Sequence, residues 1–400
     1  MPRGGGAMTE RVVVAGAGPV GLIVALVLAR ADIPVLVLEA ASAIAQAPRA
    51  IVYHPPTVEV LDRLDLLPAM AEAGLLKHTY QWRSADGEII AGIDSSALHA
   101  DDTKYPFNLH LGQHRLAEIA LAALLRHDAA EVRFGHRVTG VAQTADAVRI
   151  AVRGPNGDDE IRAPWLIGAD GASSGVRQAL GFSFEGTTWP EWFVATDIRF
   201  DFESHGFAEA NFILDPVDWA IVPKIDRSGL WRFTYGEPPD VARETLRARA
   251  PAKFRALLPG GAVVEPDAFA PYRVHTRCAP SFRANRVLLA GDAAHVVNPV
   301  GGLGLTGGIL DAAALGDAMI ARWRSAANDG ALDHYARERR RIFVDVIAPT
   351  ANENKRRLME TEPVKREQDR ARLRALAADP AAARAMLLST QRLVGTPGPV

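Results

Sequence analysis

A single cysteine, Cys278, stands among 400 residues. It has no intrachain disulfide partner and cannot build a thiolate cluster, so a reduced, cytoplasmic setting is expected. Charge of one sign is also missing: 45 Lys and Arg face 47 Asp and Glu, a formal net charge of −2. With no basic surplus to neutralise phosphates, nucleic acid is not an expected partner. No HExxH motif occurs, and no metal is expected. Low-complexity tracts and internal repeats are absent, and the ordinary hydrophobic share of 48% argues against disorder. One uncharged run, Val12–Ala29, reaches the 18 residues of a membrane span. Three glycines and a proline interrupt it, so no membrane span is expected. Pro2–Ala7 lacks the apolar stretch of a signal peptide, and Met8 resembles an ordinary start.

What the chain does contain is organised. Arg11–Ala15 is a β-branched run, Gly16–Gly21 a glycine turn, Leu22–Arg30 an Ala/Leu-rich helix and Pro34–Glu39 a second strand. Together they make a β-turn-α-β unit of about 30 residues. Thr57–Gly74 and Leu116–His127 have helical spacing. From Phe182 to Pro271 helix formers thin out, and alternating runs such as Phe193–Phe200, Trp219–Pro223 and Leu230–Tyr235 predict an antiparallel sheet. Arg286–Ala290 predicts a buried strand, a long helix is expected from about Gly307, and the tail beyond Pro349 predicts a solvated helix.

Gly16-Ala17-Gly18-Pro19-Val20-Gly21 follows a strand and opens a helix. In that context Gly16 permits a tight turn, Gly18 lets a pyrophosphate approach the backbone, and Gly21 lets helix and strand pack closely. The phosphates would lie on the positive helix end. Glu39, ending the second strand, can accept hydrogen bonds from ribose hydroxyls. These residues imply an adenine dinucleotide and leave NAD or FAD open. A second run of the same spacing, Gly302–Gly307, lacks this strand-to-helix context.

Two further segments carry a resemblance. Trp165-Leu166-Ile167-Gly168-Ala169-Asp170-Gly171 leads into Val176-Arg177, and Arg286–Gly291 leads through Asp292 and His295 to Asn298-Pro299-Val300-Gly301-Gly302-Leu303-Gly304. In order and spacing they resemble the two conserved motifs of the flavoprotein aromatic hydroxylases, the para-hydroxybenzoate hydroxylase-like class A monooxygenases. Tyr335–Arg340 extends the likeness, which spans about residues 10–345. The resemblance implies an α/β fold: a doubly wound, Rossmann-like FAD domain of the glutathione-reductase type, an interleaved antiparallel substrate sheet, and C-terminal helices. Residues 9–75, 108–181 and 281–345 would form the FAD domain, 76–107 and 182–280 the substrate domain, and 346–400 the helical tail.

The same resemblance assigns roles. Gly291 and Asp292 would meet the FAD ribityl chain, while Gly302, Gly304, Leu305 and Thr306 would lie along the flavin pyrimidine edge. Thr306 stands where many relatives carry asparagine and is expected to cap the helix. Arg49 would sit beside the phosphates, Gln113 would touch the flavin, Asp170 would serve FAD and NAD(P)H, and Pro299 would flank the ring. NAD(P)H would bind transiently, and oxygen chemistry would run through a flavin C4a-hydroperoxide. A phenol reacts better as phenolate, so a base or cation near its hydroxyl is sought. His54, His205, Arg232 and Tyr235 are candidates, and Trp219, Trp231 and Phe233 could line an aromatic pocket. The expected function is hydroxylation of a phenolic or heteroaromatic compound by an FAD-dependent monooxygenase using NAD(P)H and O2. A polyketide or isoprenoid quinone substrate, or a non-catalytic flavin-binding protein, is the alternative.

Overall fold

The computed structural model describes residues 9–46, 48–99, 101–325 and 329–398. The expectations for the first eight residues lie outside the described residues.

Apolar runs buried on both faces make the middle strands of the central sheet, and its edges are half-buried. Its order is Arg283–Ala284, Val287–Leu289, Trp165–Gly168, Val12–Ala15, Val35–Glu39 and Ala130–Phe134. Every pair is parallel except the hairpin at the first edge. The helix Pro19–Ala29 starts with proline, whose missing N–H costs nothing at a first turn, and is buried almost throughout. It packs on the helix Leu303–Arg324. That second helix is long and apolar enough to cross a membrane, yet most of it is buried in the fold. It is a core helix.

The other large sheet has eight strands, ordered His295–Val296, Ala268–Cys278, Glu185–Arg199, Leu230–Glu237, Ala220–Pro223, Ala210–Leu214, Thr79–Ser84 and Ile89–Asp94. All neighbours are antiparallel except Ala210–Leu214 with Thr79–Ser84. Segments from three parts of the chain therefore share one sheet, interleaved with the dinucleotide-type domain.

Four local expectations need correction. Thr57–Gly74 is two helices, Pro55–Arg63 and Leu67–Ala73, broken where Asp65 adopts φ +58°. Within the region expected as strands lies a helix, Leu246–Leu257, whose buried Leu246, Ala250, Phe254 and Leu257 recur at helical spacing. A three-stranded antiparallel sheet, Arg137–Gln143, Val148–Gly154 and Gly157–Ala163, went unanticipated. The tail is not one solvated helix. It forms Ala348–Leu358, Pro363–Ala378 and Pro380–Leu388, each starting at or next to a proline. Leu373 packs with Trp82, Ile90 and Ile93, closing the edge of the large sheet.

Candidate active site

The glycine turn is built for close approach. Gly16 holds φ +107°, and a Cβ there would meet Ala169 O at 2.4 Å. A Cβ on Gly21 would lie 2.0 Å from Gly16 O, whereas one on Gly18 would meet nothing within 4 Å. The turn is thus crowded at its two ends and open at its middle, at the N-terminus of the helix. Glu39 stands beside it, accepting from the Ala17 amide at 2.7 Å and the Ala41 amide at 2.8 Å. Asp170 is occupied locally. One oxygen accepts from Ser174 Oγ and the other from Val176 N, so it braces the turn into the helix Gly175–Ala179.

Asp292 keeps an exposed face. Yet enough protein surrounds it that desolvation raises its carboxyl pKa, opposed by the charges of His295 and Arg49. An exposed group that is nonetheless desolvated lines a groove. Arg49 is exposed on the same groove, and its backbone carbonyl accepts from the buried Arg232 guanidinium. The next residue is tied down too, since Gln113 N donates to Ala50 O at 3.0 Å. Arg232 also forms an ion pair with Asp197. Three of its five N–H donors thus anchor Arg49 and Asp197.

Gly301 and Gly302 take left-handed φ of +103° and +69°, leading into the helix Leu303–Arg324. This helix starts four residues before the expected Gly307, so Gly304, Leu305 and Thr306 lie in its first turn. The expected capping role of Thr306 fails. Its buried hydroxyl donates back to Gly302 O at 3.2 Å, so it does not receive an amide. Pro299 O accepts from Gly302 N, tightening the turn. His54 reaches this loop as well. Its Nε2 donates to Gly301 O at 2.8 Å, and its Nδ1 accepts from Asn108 Nδ2 at 3.2 Å. Burial lowers its pKa to about 4, with the Gly301 bond opposing and Lys77 assisting, so it is neutral near pH 7. Both nitrogens are engaged, and His54 positions the loop.

Strand periodicity sorts the remaining candidates. Arg232 and Tyr235 pair with Asp197 and Val194, three residues apart, so they point to opposite faces. Tyr235, Trp231 and Phe233 pack with Val194 and Phe254 under the helix Leu246–Leu257, away from the groove. His205 is exposed and stacks on Phe200. Of the aromatic candidates only Trp219 belongs to the other face. It packs against Phe193 at 4.6 Å between centroids, in a cluster that includes Val300 of the glycine loop. Gly236 makes this possible, because a Cβ there would lie 2.7 Å from the Trp219 indole.

Several participants were not singled out from sequence. Asp311, on the long helix, accepts from Gly291 N at 3.1 Å, pairs with His295 Nε2 at 2.7 Å and accepts from Arg339 Nε at 2.7 Å. It is fully buried beneath Asp292, and Arg339 inside Tyr335–Arg340 was the available signal. From the tail, Asn352 Oδ1 accepts from Asn298 at 2.9 Å and Thr276 at 3.1 Å, and Asn354 stands against Gly301. Nothing local to the tail predicts that contact. His110 and His114, four residues apart, sit on a strand end and a helix start, and His110 bonds Lys224 O. Among the described residues no group of three or more His, Cys, Asp or Glu is arranged to hold a metal.

An open glycine turn at a helix N-terminus, a groove holding Asp292 and Arg49, and a left-handed glycine loop opening a second helix fit a bound dinucleotide with a flavin end. The fold and groove define an FAD-binding flavoprotein. Residues 9–350 match the family described as "FAD binding domain". The chain is 43% identical over 389 residues to the para-nitrophenol 4-monooxygenase of Pseudomonas sp. (strain WBC-3), covering 96% of each. It is 40% identical to the 6-hydroxy-3-succinoylpyridine 3-monooxygenase HspB of Pseudomonas putida (strain DSM 28022 / S16), covering 89% of this chain and 91% of that one. The crystal structure of p-nitrophenol 4-monooxygenase PnpA from Pseudomonas putida DLL-E4 superposes with a TM-score of 0.95 at 42% identity, over 98% of this chain and 99% of that one. The chain belongs to this FAD-binding family, as an FAD-dependent aromatic monooxygenase.

Proposed function

We propose that the chain hydroxylates a small aromatic ring bearing an ionisable hydroxyl, a phenol or hydroxypyridine, with NAD(P)H and O2 as co-substrates. The observation that carries this is the aromatic sheet face, Trp219, Phe193 and Tyr272, clustered with Val300 of the glycine loop. Phe193 and Trp219 are buried and tilted by 49° to each other, and the half-buried Tyr272 extends the cluster, so this side of the sheet is an apolar, aromatic wall packed against the glycine loop. The substrates named for the para-nitrophenol and hydroxypyridine relatives are single rings of the kind proposed. When bound, FAD supplies the oxygen chemistry.

The chain's own residues bind and orient. Gly18, at the open middle of the turn, would receive the pyrophosphate, with Gly16 and Gly21 packing the turn at its ends, while Glu39 would hold the ribose and Arg49 the phosphate charge. Asp292 and Gly291 hold the ribityl chain. Asp170 braces the turn facing Gly16, and Gln113 lies at the flavin edge. The first turn of the helix, Leu303 to Thr306, turns its free amides and positive end toward the pyrimidine edge, where charge gathers on reduction. Pro299 flanks the ring. His54 and Arg232 hold the Gly301 and Arg49 loops in place. A cytoplasmic setting belongs to the same reading, supported by the one cysteine.

The test has two parts. Purified protein should carry FAD, and Asp292→Ala should lose most of it. With oxygen-18 O2 and NAD(P)H, label should enter a hydroxylated product from a panel of phenols and hydroxypyridines. NAD(P)H oxidation with none of that panel would overturn the reading.

A further inference from the structure

A chain of polar groups joins the tail to the glycine loop, and its direction is fixed. The Trp189 indole can only donate, and it gives its Nε1–H to Thr276 Oγ at 3.3 Å. Thr276 donates its hydroxyl hydrogen to Asn352 Oδ1 at 3.1 Å, and Asn298 Nδ2 donates to the same oxygen at 2.9 Å. That leaves Asn298 Oδ1 to accept from Val300 N at 3.1 Å. Donor-only groups stand at both ends, so neither amide can turn over without breaking a bond. Asn298 is fully buried, and among the described residues its Nδ2 has no other partner. Asn352 lies on the helix Ala348–Leu358, which a π-helical turn, Phe343–Ile347, separates from the helix Asp329–Ile342. Before that turn Arg339 reaches Asp311, and after it Asn352 reaches Asn298. About one turn further on, the buried Lys355 pairs with Glu191 and lies 3.8 Å from the Trp189 ring centre, which holds this face of the helix on the sheet. Within the loop, Val300 N and Gly302 N are taken up by Asn298 and Pro299, and Gly301 O by His54. Gly301 N and the first-turn amides of Leu303–Arg324 have no partner among the described residues. These amides are free for a ligand, and their places follow from the shape of the loop.

We infer that Asn352 is a positioning residue for the flavin site. By accepting from Asn298 and Thr276 together it fixes the Asn298 amide, and through it the Val300–Leu303 backbone whose free amides meet the flavin pyrimidine edge. The inference rests on the flavin reading of this loop given above. Asn352 acts through Asn298 rather than by contact with the cofactor. Its effect is largest when negative charge gathers on that edge, because hydrogen bonds to charged acceptors are about twice as strong as neutral ones. A displaced loop therefore costs reduced FAD more affinity than oxidised FAD, and the potential of the bound flavin falls. Val300 is also held by apolar packing with Phe193 and Leu358, so loss of the Asn352 acceptor loosens the loop without unfolding it.

The experiment compares the wild-type holoenzyme with Asn352→Leu, which removes the double acceptor at similar volume, and with Asn352→Asp, which keeps it. In each, FAD is removed and titrated back, the midpoint potential of the bound flavin is measured, and the FAD-free protein is melted. Asn352→Leu should weaken FAD binding about tenfold, the worth of one buried hydrogen bond, and lower the potential. Asn352→Asp should restore most of the affinity. A lost packing contact would instead lower the melting temperature and leave the potential unchanged, and that result overturns the inference. So does an Asn352→Leu variant with wild-type affinity and potential, or an Asn352→Asp variant as weak as Asn352→Leu. If Asn352→Leu does not fold, Thr276→Val, which removes one of the two donors to Asn352, carries the test. A lowered potential in that variant supports the inference, and an unchanged one overturns it. In all these outcomes the wild type binds FAD; a wild type that binds none overturns the flavin reading together with the inference.

Discussion

Two glycines of one turn behave oppositely. Gly21 sits where a Cβ would press on Gly16 O at 2.0 Å, while Gly18 faces open space. Gly21→Ala should therefore destabilise the fold by about 1–3 kcal/mol, since overpacked backbone must shift. Gly18→Ala should leave the melting temperature of the FAD-free protein unchanged and weaken FAD binding about tenfold or more, because the methyl occupies phosphate space. Thermal melts and FAD titration of both variants check this, and equal melting losses would contradict it. The positions of these glycines were legible in the sequence because the turn, strand and helix are contiguous. Tyr272 was not. Nothing within a few residues of it announces that its face meets Trp219 and the Val300 loop.

At the scale of elements, the helix Leu303–Arg324 ties the glycine loop to the turn at Gly291. Its first turn follows Gly302, and about two turns further on Asp311 accepts from Gly291 N. Burial pushes the Asp311 carboxyl pKa up, but His295 and Arg339 outweigh it and bring it down to about 2. Arg339 also donates to Leu393 O at 2.7 Å, so the tail is tied to the same point. Arg339→Met leaves a buried carboxylate with half its compensation. It should cost about 3–5 kcal/mol, the usual loss when one partner of a buried pair is removed. Urea unfolding measures this, and a loss below about 1 kcal/mol would show the pair to be dispensable. The sequence showed Tyr335–Arg340 as part of a familiar pattern but not this pairing, which spans 28 residues of chain.

For the whole molecule, acid stability follows from the buried histidines. Histidine titrates near 6.5 in an unfolded chain, but burial holds His54 neutral down to about 4 and His110 down to about 3. Lys77 adds to the lowering in both. As pH falls below about 6.5 the unfolded chain takes up these protons first, so stability declines toward pH 4 and below. Each histidine contributes on the order of 3 kcal/mol that is present at neutral pH and lost across that window. The Asp311 contribution is lost lower still, between its ordinary 3.8 and about 2. Melting temperature should fall from pH 7 to pH 4.5, and His110→Asn should flatten the slope. A pH-independent melting temperature over that range would contradict the buried, neutral assignment.

The sequence by itself determined the α/β class, the glycine turn with Glu39 beside it, the strand-to-loop segments around Asp170 and Asp292, and the existence of an inserted sheet. Each is written in contiguous residues, as glycines where φ turns positive or as apolar residues at period two or 3.6. Only the tertiary structure decided which aromatic residues face the groove. It also decided that Arg232 and His54 brace loops, and that the tail helices close the large sheet and reach the glycine loop. Those outcomes depend on strand register and on pairings such as Arg277 with Val296 or Asn298 with Asn352. A one-residue change of register would exchange the two faces of the sheet without altering any local pattern, and so no local pattern encodes the choice.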